Sequence, residues 1–255
     1  MINMLAIDIG NTNITAGLFK GKELAGKVKI PSLSYYLYDK RLNGLIKGCG
    51  LKHDDINQVA ISSVVPLALA RIVVSVNKLM RHKCAILIVG KDAEAPIKNM
   101  YTVKKEVGQD RLVNAFAAKA MYGHPAVIID FGTAITFDVV SKEGDYLGGL
   151  ILPGIEMGLK SLHKCTALLP KVELGPAKHI IGTDTESSMQ GGILFGYGAM
   201  CDGLVKKYRE LLGKELKVIA TGGNAGLIKK YSESIEIVDE DLTLTGLNLI
   251  GLSNS

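Results

Sequence analysis

The chain is predicted to be an α/β protein built of two similar domains, and three observations lead there. "LAIDIGNTNITAGLF" (Leu5 to Phe19) and "VIIDFGTAITFDVV" (Val127 to Val140) share Ile-Asp-x-Gly, then a threonine, then a second apolar alternating run. Asp8 and Asp130 stand 122 residues apart, nearly half of the 255-residue chain. After each copy come further strand-like segments and then helical patterns, the alternation expected of an α/β fold.

Composition bounds the possibilities. Apolar residues make up 47% of the chain, ample for cores, and charged residues 22%, with no low-complexity tract or long linker. A net charge of +5 suits an anionic substrate. The lysines are dispersed, however, and no basic run with interleaved aromatics argues for nucleic acid. Cys49, Cys84, Cys165 and Cys201 lie far apart with no C-x-x-C pair, so they are expected to be buried free thiols in a reducing cytosol. The N-terminus lacks a basic n-region, and no apolar run reaches membrane-spanning length. The expectation is a soluble cytoplasmic protein with no membrane partner.

Taken in order, the first copy reads as a strand (Leu5, Ala6, Ile7), a tight turn after Asp8, and a returning strand: a β-hairpin with polar groups at its tip. Asp is depleted in strands and Gly10-Asn11 is turn chemistry, so the tip is placed for something other than a core. Glycine lets backbone N–H groups approach an anion, and a threonine hydroxyl can donate to a phosphate oxygen. Asp8 repels phosphate but can hold a divalent cation, directly or through water. One Asp-x-Gly is ordinarily just a turn. Two copies on facing domains would grip a nucleoside triphosphate.

Between the copies, "VAISSVVP" (Val59 to Pro66) is a strand ending in small polar residues, and "CAILIVG" (Cys84 to Gly90) is a buried strand. A helix is expected from Arg111 to Tyr122, with Leu112, Ala115, Phe116 and Lys119 at helical spacing and Gly123 as its stop. Asp110 then falls at the N-cap, where Asp stabilises by about 1 kcal/mol with no other role required. After the second copy, "GGLILPG" (Gly148 to Gly154) reads as a turn before a helix beginning near Ile155. Asp184 or Thr185 caps a long helix whose stripe is Met189, Ile193, Tyr197, Met200 and Leu204. Its Gly191, Gly192, Gly196, Gly198 and Gly203 suit close approach of another backbone better than a solvated face. "KVIATGGNAGLI" (Lys217 to Ile228) is a buried strand, a Thr-Gly-Gly loop suited to a flat or anionic ligand surface, and a helix.

Two Asp-x-Gly hairpins and a late Gly-Gly loop resemble the superfamily of actin, sugar kinases and heat-shock chaperone ATPases. The ordered set "DIGNTN", "SSVVP", "GQDR", "DFGTAIT", "GGLILPG", "GTDT" and "TGG", from Leu5 to about Gly226, resembles type III pantothenate kinase. The resemblance implies two ribonuclease H-like domains with mixed sheets flanked by helices, over 1–115 and 116–255, and a nucleotide cleft between them. It implies ATP-dependent phosphorylation of the primary hydroxyl of pantothenate, in coenzyme A biosynthesis, by a homodimer.

Carried over by motif, Asp8, Ile9, Gly10, Asn11, Thr12, Asn13, Ile14 and Thr15 form the first phosphate loop, with Asp8 near magnesium. Thr133 touches the nucleotide phosphates, and Asp130 contacts a monovalent cation, potassium or ammonium. Tyr101, Gly108, Gln109, Asp110 and Arg111 line the pantothenate pocket; Asp110 is the base, and Thr185 enters from the neighbouring subunit. The chain departs from the family pattern twice: Gln109 stands where Ala is usual, and Val103-Lys104 where Asn-Pro is expected. Two other functions remain open at this level, a non-catalytic, transcription-activating relative on the same fold and a kinase for another small hydroxylated substrate.

Overall fold

Alternating apolar residues and a polar tip do produce the first hairpin. In the computed structural model, which describes residues 2–81 and 83–254, β1 (Asn3–Ile9) pairs antiparallel with β2 (Asn13–Lys20). Ile9 faces Ile14 and Asp8 faces Thr15 in that register. The chain divides into two units, one of Met1–Ile97, Thr102–Ala117 and Leu242–Ser255, the other of Lys98–Tyr101 and Ala118–Asp241.

In unit one, β3 (Glu23–Pro31) adds to β2 as an edge strand with Lys27 and Glu23 pointing outward. Helix α1 (Tyr38–Gly48) buries Tyr38, Leu42, Leu45 and Ile46, the i, i+4, i+7, i+8 face of an amphipathic helix. β4 (Gln58–Ser63) runs parallel to β1 and is buried along almost its whole length, as a central parallel strand should be. Helix α2 (Pro66–Met80) starts on a proline, whose missing N–H costs nothing at that position. β5 (Ala85–Ile88) pairs parallel with β4, completing the order β3-β2-β1-β4-β5, and α3 (Gln109–Tyr122) follows, its residues up to Ala117 belonging to this unit. Leu5, Ile7, Ile14, Leu18, Val59, Ile61 and Ile72 form the core, each burial contributing about 1.5–3 kcal/mol.

Unit two repeats the plan. β6 (Ala126–Phe131), β7 (Ala134–Val140) and β8 (Tyr146–Pro153) are antiparallel neighbours. Helices α4 (Ile155–Lys164) and α5 (Thr185–Leu212) follow, then β9 (Lys217–Thr221), the four-residue α6 (Ala225–Ile228) and β10 (Ile237–Val238). Its sheet order, β10-β9-β6-β7-β8, mirrors that of unit one, with β6, β9 and β10 parallel. The final helix, α7 (Leu242–Ser253), belongs to unit one. It packs closely because Gly251 leaves room for Met4 and Gly246 for Val113. Both units are mixed five-stranded sheets flanked by helices, the α/β class that the sequence predicts.

Three expectations need correction. "GGLILPG" is not a turn: it forms most of β8, with the register shifting between Val139 and Val140 opposite the paired glycines. The α5 glycines divide in two. A Cβ on Gly198 would lie 2.0 Å from Tyr231 O, whereas Gly192, Gly196 and Gly203 have nothing within 4 Å. The cysteines are free, but only Cys201 is fully buried, and Cys165 is exposed. Among the described residues no helix is long and apolar enough to cross a membrane.

Candidate active site

The tip of the first hairpin is braced from below. Gly10 N donates to Asn13 O at 3.0 Å, closing the turn. Ser32 Oγ donates to Gly10 O at 2.6 Å, Ser32 N donates to Thr12 O at 3.0 Å, and Tyr38 OH donates to Ser32 O at 2.6 Å. Asn11 and Thr12 are left exposed, while Ile9 and Ile14 bury their side chains in the core and can offer a ligand only main chain. Asp8, at the end of β1, accepts from Ser62 Oγ at 3.1 Å on the strand directly beside it. Sequence reasoning saw Ser62 only as a small polar strand end; the parallel pairing of β4 with β1 gives it this role.

Val64 connects the hairpin to the second motif of unit one. Its N–H donates to Ile9 O at 3.1 Å, and its side chain packs beside Gly108. α3 begins at Gln109, so Asp110 lies inside the first turn and is not the N-cap. The flanking position belongs to Gly108, whose carbonyl accepts from Arg111 N at 3.2 Å. A Cβ on Gly108 would sit 2.5 Å from Asp110 Oδ1, so a side chain at this position would push the carboxylate aside. Asp110 Oδ1 accepts from Arg111 N at 2.9 Å.

Burial pushes the Asp110 carboxyl above its ordinary value, against the opposing pull of the Arg111 N–H and the Arg111 charge. A carboxylate made more proton-hungry by burial, yet held by one N–H at a helix start, is the form a general base takes. Arg111 is itself buried, and the Gln109 side chain lies over the bare backbone of Gly90.

In unit two, Asp130 ends β6 opposite Thr136. The Thr-Gly-Gly loop after β9 abuts it: Gly222 has φ of 87°, and a Cβ there would lie 2.5 Å from Asp130 Oδ1 and 2.8 Å from Phe131 N. Gly132 leaves further space beside the same oxygen. Thr133 stands exposed at the tip, and Gly154 of "LPG" lets the chain press against Thr133 O, where a Cβ would be 2.1 Å away. The hairpin thus brings Asp130 and Thr133 together. Tyr101 lies elsewhere in the unit, over Gly148 of β8, and Thr185 is exposed as the first residue of α5. Asp184 caps that helix, accepting from Ser187 N at 2.8 Å.

A family model for type III pantothenate kinase matches residues 4–207. The type III pantothenate kinase of Syntrophus aciditrophicus is 41% identical to this chain, covering 99% of it and 100% of the relative. That of Halalkalibacterium halodurans is 37% identical, covering 98% and 99%. Among solved structures, the activator of the 2-hydroxyisocaproyl-CoA dehydratase from Clostridium difficile with bound ADPNP superposes with a TM-score of 0.59 at 13% identity, over 99% of this chain and 94% of that one. The last is a likeness of fold.

Proposed function

The chain belongs to the type III pantothenate kinase family, and on that premise we propose how its residues divide the work of phosphorylating pantothenate. The activity is transfer of the ATP γ-phosphoryl group to the primary hydroxyl of pantothenate, giving 4′-phosphopantothenate within coenzyme A biosynthesis. Phosphoryl transfer asks a protein mainly for positioning and charge neutralisation, and little covalent chemistry.

Asp110 takes the proton of the attacking hydroxyl. With Oδ1 engaged by Arg111 N–H, its second oxygen is the one that accepts this proton. The observation that carries the reading is this half-buried carboxylate in the first turn of α3, its Oδ1 lying against the bare backbone of Gly108. Arg111 suits the carboxylate end of pantothenate, since a guanidinium pairs with a carboxylate by two parallel hydrogen bonds. Gln109 and Tyr101 each take part in binding pantothenate. Asn11 to Thr15 offer backbone N–H groups and hydroxyls to the phosphates, on a turn that Gly10 closes, and Thr133 offers the same from the second hairpin.

Asp8 fits magnesium, a hard cation that takes oxygen ligands directly or through water, and its Ser62 bond orients the carboxylate. Magnesium supplies neutralisation of phosphate charge. Asp130, set among the backbone of Gly132 and Gly222, fits a monovalent cation, potassium or ammonium, that offsets its own negative charge. The protein works in the cytoplasm as a homodimer whose Thr185 enters the partner's pantothenate pocket. The open face of α5 at Gly192, Gly196 and Gly203 supports close helix packing between subunits.

ATP consumption coupled to a spectroscopic signal, with and without pantothenate, tests the reading. Pantothenate-dependent turnover, absent with glucose or acetate, is expected. No turnover would favour a regulatory protein on the same fold, and turnover with the other acceptors a different kinase.

A further inference from the structure

The short segment Lys98–Tyr101 belongs to unit two, and β8 holds it there. Tyr146 N donates to Lys98 O and Met100 N donates to Tyr146 O, each at 2.9 Å, so Tyr146 pairs the segment on both sides. Lys98 Nζ adds an ion pair to Asp145 Oδ2 at 3.2 Å, and Tyr101 N donates to Asn99 Oδ1 at 2.9 Å. The Tyr146 side chain is fully buried, and its hydroxyl donates to Asp138 Oδ1 at 2.9 Å. Asp138 is fully buried too, and its Oδ2 accepts from Thr136 Oγ1 at 2.7 Å. A buried carboxylate is costly unless donors meet its oxygens, so the three side chains fix Tyr146 in one place across β7 and β8.

Two residues further on, the bulge opposite Val139 and Val140 turns the strand, and Gly148 takes φ of 112°. A Cβ there would lie 3.0 Å from Tyr101 Cδ2 and 3.1 Å from Cε2, so the Tyr101 ring rests on bare backbone. Backbone pairing and the buried Tyr146 network hold the segment that carries Tyr101, and Gly148 seats its ring.

We infer that Asp138, Tyr146 and Gly148 are positioning residues that fix the Tyr101 ring and thereby set the KM for pantothenate; this rests on the reading of Tyr101 as a wall of the pantothenate pocket. Tyr146→Phe removes the hydroxyl that locks the pairing strand, and Gly148→Ala puts a methyl group under the ring on a backbone L residues rarely adopt. Each is expected to raise the KM for pantothenate about fivefold or more, the loss of one buried hydrogen bond or its equivalent, with the KM for ATP unchanged. In a Tyr101→Ala background, neither substitution should raise it further. The chain has no tryptophan, so Tyr101→Trp provides a reporter independent of turnover. Acrylamide should quench its fluorescence more strongly once Gly148→Ala is added.

Parallel rises in both KM values would mean general loosening and overturn the inference, as would effects that multiply with Tyr101→Ala or quenching that does not change. A pantothenate KM unchanged by Tyr101→Ala alone would overturn both the Tyr101 reading and the inference built on it, leaving the roles of Asp110 and Asp8 untouched. If Tyr146→Phe fails to fold, Gly148→Ala alone decides.

Discussion

Asp110→Asn separates chemistry from architecture at the residue on which the mechanism turns. The substitution keeps the side chain's size, and an amide oxygen can still accept from Arg111 N, now at 2.9 Å from Asp110 Oδ1. It removes the proton acceptor. Loss of a general base costs about 10² to 10⁴ in rate, or roughly 3–5 kcal/mol of barrier. Stability should move the other way. Burial raises the carboxyl's pKa in the folded state, so the group favours the fold below its unfolded value and that contribution is lost as pH rises through the folded one. At neutral pH the ionised Asp110 is therefore a cost, and the neutral Asn should leave the melting temperature equal or higher. Steady-state kinetics should show kcat down by at least a hundredfold with both KM values near native, alongside an unchanged circular dichroism spectrum. A variant keeping more than about a tenth of native kcat would refute the base assignment. A variant that unfolds would show that the carboxylate serves the helix first.

Native kcat/KM should fall on the acid side at a pH above the ordinary carboxylate range, because the raised pKa of Asp110 must be exceeded before it can act; a flat profile down to pH 4 would contradict this. Replacing potassium by lithium or tetramethylammonium at constant ionic strength should abolish most turnover, and equal rates in all three would remove the cation from Asp130. Gly222→Ala should cost about 1–2 kcal/mol of stability for its left-handed backbone, and more than tenfold in rate as the methyl group displaces Asp130. Gly44→Ala, in the middle of α1 with nothing within 4 Å, should instead stabilise by about 0.5–1 kcal/mol, read as a rise in melting temperature. Asp110→Asn and Thr185→Arg, each nearly inactive alone, should recover about a quarter of native sites when mixed as hybrid dimers. No recovery, with hybrids seen by native mass spectrometry, would rule out a shared site.

The two hairpins were legible because strand alternation and turn chemistry are local, and their repetition lifted Asp8 and Asp130 above the ordinary run of Asp-x-Gly turns. Local signals misled where one dipeptide serves two geometries. Gly148-Gly149 reads equally as a turn or as a strand bulge, and only pairing with β7 decides between them. Asp110 was misplaced by part of a helical turn because Asp is a favoured cap, and the displacement follows from Gly108 filling the flanking position. Contacts created by register stayed hidden: Ser62 reaches Asp8 only once β4 lies parallel to β1, and Tyr146 reaches Asp138 only across β7 and β8. The α5 glycines could not be sorted from sequence, since a glycine facing Tyr231 and one facing open space carry the same letter.

The central claim is that this chain phosphorylates pantothenate, and the product's mass tests it most directly. Purified protein incubated with ATP, magnesium, potassium and pantothenate should yield 4′-phosphopantothenate by mass spectrometry, and Asp110→Asn should form almost none under the same conditions. ATP hydrolysis without that product, or equal product from the Asp110→Asn variant, would contradict the account.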